Sequence, residues 1–335
     1  MLWEVKIMSN KSLFNITLFK KEVKTLSVLA VVNFVYLAFY FPFRSLQIIM
    51  DITSGNIDMY NFVNTYRNFA NPSFIFVEAI FMIAASLMLF SAEKNSKTIE
   101  VLVTAPFSRL QIYATKIITG MVLFILPSIV MYFLTYMIVS TNPLISSVIY
   151  LNETLQMFIT GIIIKLTIFS YFVMISMLFG STAASLICGT IFSAMPFGIY
   201  ALIIAFIKGG DAIDNQLGQI ISRVTPSAQL FYVASELTSK YVLLAYCILY
   251  LFAGYILFEM YKMEKNGEFL TFKWTEPVFK VGFFICMALL GGIIFEAMLY
   301  SVSSFTLINK SIGLVLGSLA GYFIPKYLIN NKRAI

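Results

Sequence analysis

Histidine is absent from the 335-residue sequence. Without an imidazole the chain cannot build a His-ligated zinc site, a Ser–His pair or a His proton relay, which excludes intramembrane zinc proteases and rhomboid-type hydrolases. Charge is also scarce: 12% of residues are Asp, Glu, Lys or Arg, against about a quarter in a soluble domain. The three cysteines, Cys188, Cys247 and Cys286, all lie inside apolar runs. They offer no extramembrane disulfide and no metal-ligand spacing, and act as small hydrophobes. No Gly-x-x-x-x-Gly-Lys-(Ser/Thr) phosphate loop occurs, so the usual ATP-cradling motif is missing.

Apolar length is what the sequence has in abundance. Hydrophobic residues make up 60% and mean hydropathy is +0.88, outside the soluble range. A bilayer-crossing helix needs about 20 mostly apolar residues. Eight such runs can be drawn: Leu26–Phe43, Pro72–Phe90, Ile117–Val139, Leu155–Phe179, Ala183–Ile207, Tyr241–Tyr261, Val281–Tyr300 and Ile312–Ile329. Gly180, Ser181 and Thr182 supply the turn that divides the fourth from the fifth. The first run is too long for a signal-peptide core and lacks a small-residue cleavage site, so it reads as a retained helix. The fold class expected is an all-α polytopic membrane protein.

Basic residues fix an expected orientation. Sixteen of the 23 Lys and Arg fall on one side of this eight-span layout, six on the other, and Lys165 inside a span. The excess side is cytoplasmic and holds both termini. Because these cations sit in short clusters between apolar runs, the net charge of +7 reads as juxtamembrane loops, with no nucleic-acid partner. The segment Ser12–Lys24, apolar and then lysine-rich, suits an interfacial helix lying flat before the chain turns inward at about residue 25. On the other side, loops 44–71 and 208–240 are too small for independent domains. In the second, Leu217, Ile220, Ile221 and Val224 share one face of a short helix.

The segment from Ser91 to Lys116, between the second and third spans, is the most informative. Ile99, Leu102 and Val103 share a helical face with Glu100 turned away; Pro106 ends that helix, and Ser108 with Gln111 forms a capping box that opens the next. A short amphipathic helix held by two spans suits docking on a soluble partner, and equally a helix resting on lipid. Glu93, Lys94, Thr98, Ile99, Glu100, Leu102, Thr104, Pro106, Phe107, Ser108, Arg109, Ile112 and Lys116 match a run that resembles the hallmark loop of the ABC-2 type permease family, with Lys97 where the family usually has Gly. The Phe19–Glu22 run is similar to that family's elbow helix, and Thr225–Tyr232 resembles its external element before the sixth span.

The resemblance implies a transmembrane subunit of a bacterial ABC exporter, multi-pass in the plasma membrane. Its organisation would be an N-terminal elbow helix (1–25), a six-helix ABC-2 permease unit (26–261) with a coupling segment at 91–116, and a further basic loop plus two transmembrane helices (262–335). It implies partners: ABC ATPase subunits that bind ATP and Mg, and a second permease subunit, identical or not. No cofactor is expected in this chain, and no enzymatic activity of its own. Thr98, Ile99, Glu100, Leu102, Val103, Pro106 and Arg109 would form the ATPase-docking segment.

Four ionisable residues fall in or near spans without an obvious loop position: Glu259, at a cytoplasmic end and therefore interfacial, and, deeper in the membrane, Glu78, Lys165 and Glu296. A charge at mid-bilayer costs about 2.5–3.5 kcal/mol on insertion scales and so faces protein or water. Lys165 lies near the middle of its span, and either glutamate could pair with it. Such residues form a polar patch along a transport path, or an ion pair that pins helices. The alternative reading of the whole is an ion-coupled secondary transporter, which predicts inverted repeats and midplane polar residues; a membrane-embedded transferase would need clustered carboxylates or a nucleophile–base pair, and only Asp211 and Asp214 stand close together. The basic loop Gly267–Lys280, with Phe269, Phe272, Trp274 and Phe279, resembles a second interfacial approach.

Overall fold

A computed structural model describes residues 14–55, 72–96, 98–141, 151–208, 216–225, 227, 237–262, 268–299 and 306–330. Lys97, the Asp211/Asp214 pair, and most of the 225–232 segment and of loops 44–71 and 208–240 lie outside the described residues. Among the described residues eight helices are long and apolar enough to cross a membrane, matching the eight runs of the sequence. The chain is thus an all-helical, multi-pass membrane protein.

The first helix, α1, runs unbroken over Ile16–Thr53. Asn15 caps it, its side chain accepting from the backbone N–H of Thr17 and Leu18. The turn expected near residue 25 is not there: the backbone stays helical from the lysine-rich segment into the span. It also continues past Arg44 through a π-turn at Phe39–Phe43 that accommodates Pro42. At 38 residues the helix is about 57 Å long at 1.5 Å per residue, against about 30 Å of hydrocarbon. Its ends therefore project well beyond the span drawn from apolar length.

Helix α2 spans Pro72–Ser86 and continues through a second π-turn, Leu87–Ser91, into Ala92–Asn95. The short α3 covers Thr98–Thr104, and α4 covers Arg109–Ser140. Its capping box is present as expected: the Gln111 N–H donates to Ser108 Oγ, and the Ser108 N–H donates to Gln111 Oε1 at 3.1 Å. Helices α5 (Leu151–Leu178) and α6 (Thr182–Lys208) divide at the Gly180–Ser181 turn. The short α7 (Gln216–Val224) realises the amphipathic face, with Leu217 and Ile220 exposed. Then follow α8 (Leu237–Met260), α9 (Thr275–Leu299) and α10 (Thr306–Asn330).

Helix α5 is the hub of the bundle. It packs against α8 and α2 most extensively and also meets α4 and α6, while α1 lies along α4. Outward faces carry Val28, Phe133, Phe252 and similar exposed apolar side chains, the surface expected where the solvent is lipid rather than water. One end of the bundle gathers residues 92–109, the start of α1, the ends of α5 and α8, and residues 268–275; it is called the base below.

Residues 268–272 fold under the bundle instead of lying along an interface. Leu270 forms an isolated bridge with Phe179, and the Thr271 N–H donates to the Leu178 carbonyl at 2.9 Å. Phe269, Phe272 and Phe279 are buried, and only Trp274 faces outward. Phe269 touches both Phe179 and Phe279 edge-on, so aromatic packing against the end of α5 takes the place of lipid contact.

Helices α9 and α10 form a tight antiparallel hairpin. A Cβ at Gly317 would collide with the Met287 carbonyl, and one at Gly321 would sit 2.9 Å from Phe284 Cα. Glycines 313, 317 and 321 recur every fourth residue on one face of α10, which lets the two backbones touch.

Candidate functional site

Charge at the base is arranged around Lys116, in the second turn of α4. Lys116 and Glu22 are each 1% exposed. The Lys116 ammonium donates to Glu22 Oε1 at 2.9 Å, Glu93 Oε2 at 2.7 Å and the Leu89 carbonyl at 2.7 Å. Its three protons are all used, one each on α1, the end of α2 and the π-turn between them in space. Lys21 then reaches both carboxylates, Glu22 at 3.1 Å and Glu93 still closer. Two acids and two bases make the cluster electrically neutral, which is the condition for holding charge out of water.

Lys94 serves a different helix. It is fully buried, and its ammonium donates to the Ser176 carbonyl at 2.6 Å while lying 4.3 Å from the centre of the Tyr261 ring. These are last-turn carbonyls of α5, where a cation meets the negative end of the helix dipole. Burial, with the nearby Glu100 carboxylate, pushes the Tyr261 phenol above its usual range, so the ring under Lys94 stays neutral. Arg109 does the same for α8: one guanidinium nitrogen donates to the carbonyls of Phe258 at 3.1 Å, Glu259 at 2.5 Å and Tyr261 at 3.2 Å.

The amphipathic α3 turns its apolar face inward. Ile99 and Leu102 belong to the main core and Val103 packs on it half-buried, whereas Thr98, Thr104 and Pro106 are exposed; Glu100 and Arg109 are intermediate. The face that sequence periodicity identifies is therefore occupied by the chain's own helices. A contacting surface on this segment would be made by Thr98, Thr104, Pro106 and the exposed Leu110.

Of the three intramembrane charges, two come together. Lys165 on α5 and Glu78 on α2 pair at 2.6 Å, both nearly inaccessible, and the Lys165 ammonium also donates to Ser128 Oγ on α4 at 2.6 Å. The Tyr132 ring lies 5.3 Å from it and is itself stacked on Phe158. Glu296 is elsewhere: it pairs at 3.1 Å with Lys310 inside the hairpin, at the end away from the base, and Lys310 also donates to the Phe206 carbonyl of α6 at 3.0 Å.

Sequence reasoning left Glu22 without a role and Lys94 and Lys116 without contacts. Their signal is visible in retrospect: charges of both signs placed within a turn of the same ends of several apolar runs, where each could satisfy another's burial. The Gly313–Gly317–Gly321 spacing was an equally plain sign of helix contact.

Comparison with known proteins supplies the family. The family model described as ABC-2 family transporter protein matches residues 20–196, a stretch that contains Lys21, Glu22, Glu93, Lys94, Arg109 and Lys116. A probable ABC transporter permease of Bacillus subtilis (strain 168), YtrD, is 25% identical over 266 residues, covering 76% of this chain and 79% of that protein. No solved structure matches. With eight helices long and apolar enough to cross a membrane among the described residues, and a family match over more than half its length, the chain belongs to the ABC-2 transporter family, as a transmembrane permease subunit.

Proposed function

We propose that this permease subunit belongs to an exporter that moves an amphipathic or hydrophobic substrate out of a bacterial cell, driven by ATP that separate ATPase subunits bind with Mg and hydrolyse. A second permease subunit, identical or not, completes the pathway. The base and both termini face the cytoplasm, in keeping with the excess of Lys and Arg on that side, and segment 91–116 receives the ATPase.

The observation that carries this reading is the anchoring of residues 93–116. Through Glu93 and Lys116 the segment holds α1, through Lys94 α5, and through Arg109 α8. Breaking the buried Glu22–Lys116 pair by removing one partner costs about 3–5 kcal/mol, and the carbonyl bonds of Lys94 and Arg109, with a charged donor, are worth about 1.5–3 kcal/mol each, so the segment and these helix ends move together. A push at the base is then delivered to three membrane-crossing helices at once, as ATP-driven gating requires. Thr98, Thr104, Pro106 and Leu110 form the face that meets the ATPase; Ile99, Leu102 and Val103 act as its anchors, with Glu100 at the border.

The test is co-purification with the ABC ATPase expected to be encoded beside this gene, comparing the wild type with Thr98→Arg/Thr104→Arg. Loss of ATPase co-elution from a permease that still elutes as a folded species supports docking on this face. Wild-type chain that binds no ATPase, or a variant that binds it unchanged, refutes it. The Glu78–Lys165 pair favours a second reading, ion-coupled transport. Substrate movement in vesicles that needs no ATP and collapses with a protonophore would select that reading instead.

A further inference from the structure

The base end of the α9–α10 hairpin holds a groove of about 410 Å³ lined by Lys280, Val281, Phe284, Gly321, Tyr322, Lys326 and Asn330. Its volume falls within the roughly 300–1,000 Å³ typical of small-ligand sites. The groove exists because Gly321 contributes no side chain where α10 meets Phe284 of α9. Lys280, on α9, and Lys326, on α10, bring two ammonium groups to it, with the Asn330 amide one turn beyond Lys326.

The two lysines are exposed and only lightly engaged within the chain. Lys280 reaches Glu276 at 3.4 Å, and Lys326 lies 5.6 Å from the Tyr322 ring centre. Neither has the close buried carboxylates that hold Lys116. Away from the end of the helices the character of the wall changes. Val281, Phe284 and Ile285 on α9 and Tyr322 and Phe323 on α10 are exposed apolar side chains on the outer surface of the hairpin. Exposed Lys273 and Trp274 precede α9 at the same end, and Trp favours the level of the lipid headgroups.

We infer that this groove is a binding site for an anionic phospholipid, whose phosphodiester lies between Lys280 and Lys326 and hydrogen-bonds Asn330 while an acyl chain runs along Val281, Phe284 and Tyr322. The apolar wall continuous with the charged groove selects a lipid over a free phosphate, because a free anion gains nothing from it. Basic pockets between membrane helices bind anionic lipid headgroups. The occupant adds the contact that joins the base of α9 to that of α10, where the glycine surface provides little side-chain packing.

The experiment is native mass spectrometry of the full chain in a nonionic detergent, titrated with phosphatidylglycerol and, separately, phosphatidylcholine. Phosphatidylglycerol should bind in preference. At about fivefold per lysine near an anionic surface, its affinity should fall about 5-fold in Lys280→Gln or Lys326→Gln and about 30-fold in the double variant. Lys280→Arg/Lys326→Arg should retain it, and Lys262→Gln, an exposed charge at the base outside the groove, should change nothing. Equal binding of phosphatidylcholine, a double variant indistinguishable from wild type, or an equal loss in Lys262→Gln overturns the site. Displacement by glycerol 3-phosphate at concentrations equal to the lipid overturns the lipid assignment, since the anion alone would then suffice.

Discussion

The base cluster and the α9–α10 hairpin solve the same problem, joining helices in a medium where burying apolar surface gains little, by opposite means. At the base, Lys21, Glu22, Glu93 and Lys116 bind α1, α2 and α4 through charge, and Lys94 and Arg109 extend that grip to the ends of α5 and α8. In the hairpin, Gly291, Gly313, Gly317 and Gly321 remove side chains until backbone meets backbone. Paired charge concentrates the join in a few directional bonds; glycine contact spreads it as close backbone approach along the length of both helices. The first suits a junction that transmits a displacement, the second a unit that moves as one piece.

That contrast can be broken most forcefully at Lys116. Lys116→Met leaves Glu22 and Glu93 buried with one lysine between them, and should cost about 3–5 kcal/mol. Thermal unfolding in detergent, followed with a thiol-reactive dye at the buried Cys188 and Cys247, would show a lower midpoint. Adding Glu22→Gln and Glu93→Gln to that variant should recover much of the loss, since the uncompensated charge is then gone. The hairpin should respond less steeply. Gly317→Ala forces α9 and α10 apart at Met287 and should cost about 1–3 kcal/mol, the usual range for overpacking.

Smaller effects sharpen the comparison. Ser108→Ala removes an exposed cap from α4 and should cost about 1 kcal/mol, measurable in the same assay and without loss of ATPase co-elution. Gly198→Ala is the counterpart to Gly317→Ala: a Cβ there meets nothing within 4 Å. It should raise stability by about 0.4–1 kcal/mol; a loss at Gly198 comparable to that at Gly317 would show that the hairpin glycines matter for their flexibility, not for close approach.

The number of spans, the break between α5 and α6 and the Ser108 box were legible because each depends on residues close together in sequence: apolar length, a Gly–Ser turn, a Ser-x-x-Gln spacing. The ends of α1 were not. Residues 16–24 read as a separate interfacial helix and 44–53 as the start of a loop, and the backbone instead runs on unbroken through Asn15 capping, contact with α4 and a π-turn around Pro42. The periodicity of α3 identified its apolar face correctly, but a periodicity does not say what lies opposite, and Ile99 and Leu102 meet the bundle. For Glu78 and Glu296 the sequence supplies depth in the membrane and leaves the angle around the helix open. Only packing decides that Glu78 faces Lys165 while Glu296 faces Lys310.

The π-turn at Leu87–Ser91 has a consequence for how this family can vary. A π-turn holds one residue more than the α-helical turn it replaces, and each residue advances a helix by about 100°. The turn is therefore a phase buffer: it absorbs one residue without changing the angle of Glu93 and Lys94 relative to Glu78 on the same continuous helix. Deleting a single residue within 87–91 would close the π-turn to an α-turn and leave Glu93 facing Lys116, whereas the same deletion within the α-helical residues 79–86 would swing Glu93 and Lys94 by about 100° relative to Glu78. A gap of one residue between relatives should therefore be tolerated at 87–91, and outside it be accompanied by a compensating insertion before Ala92.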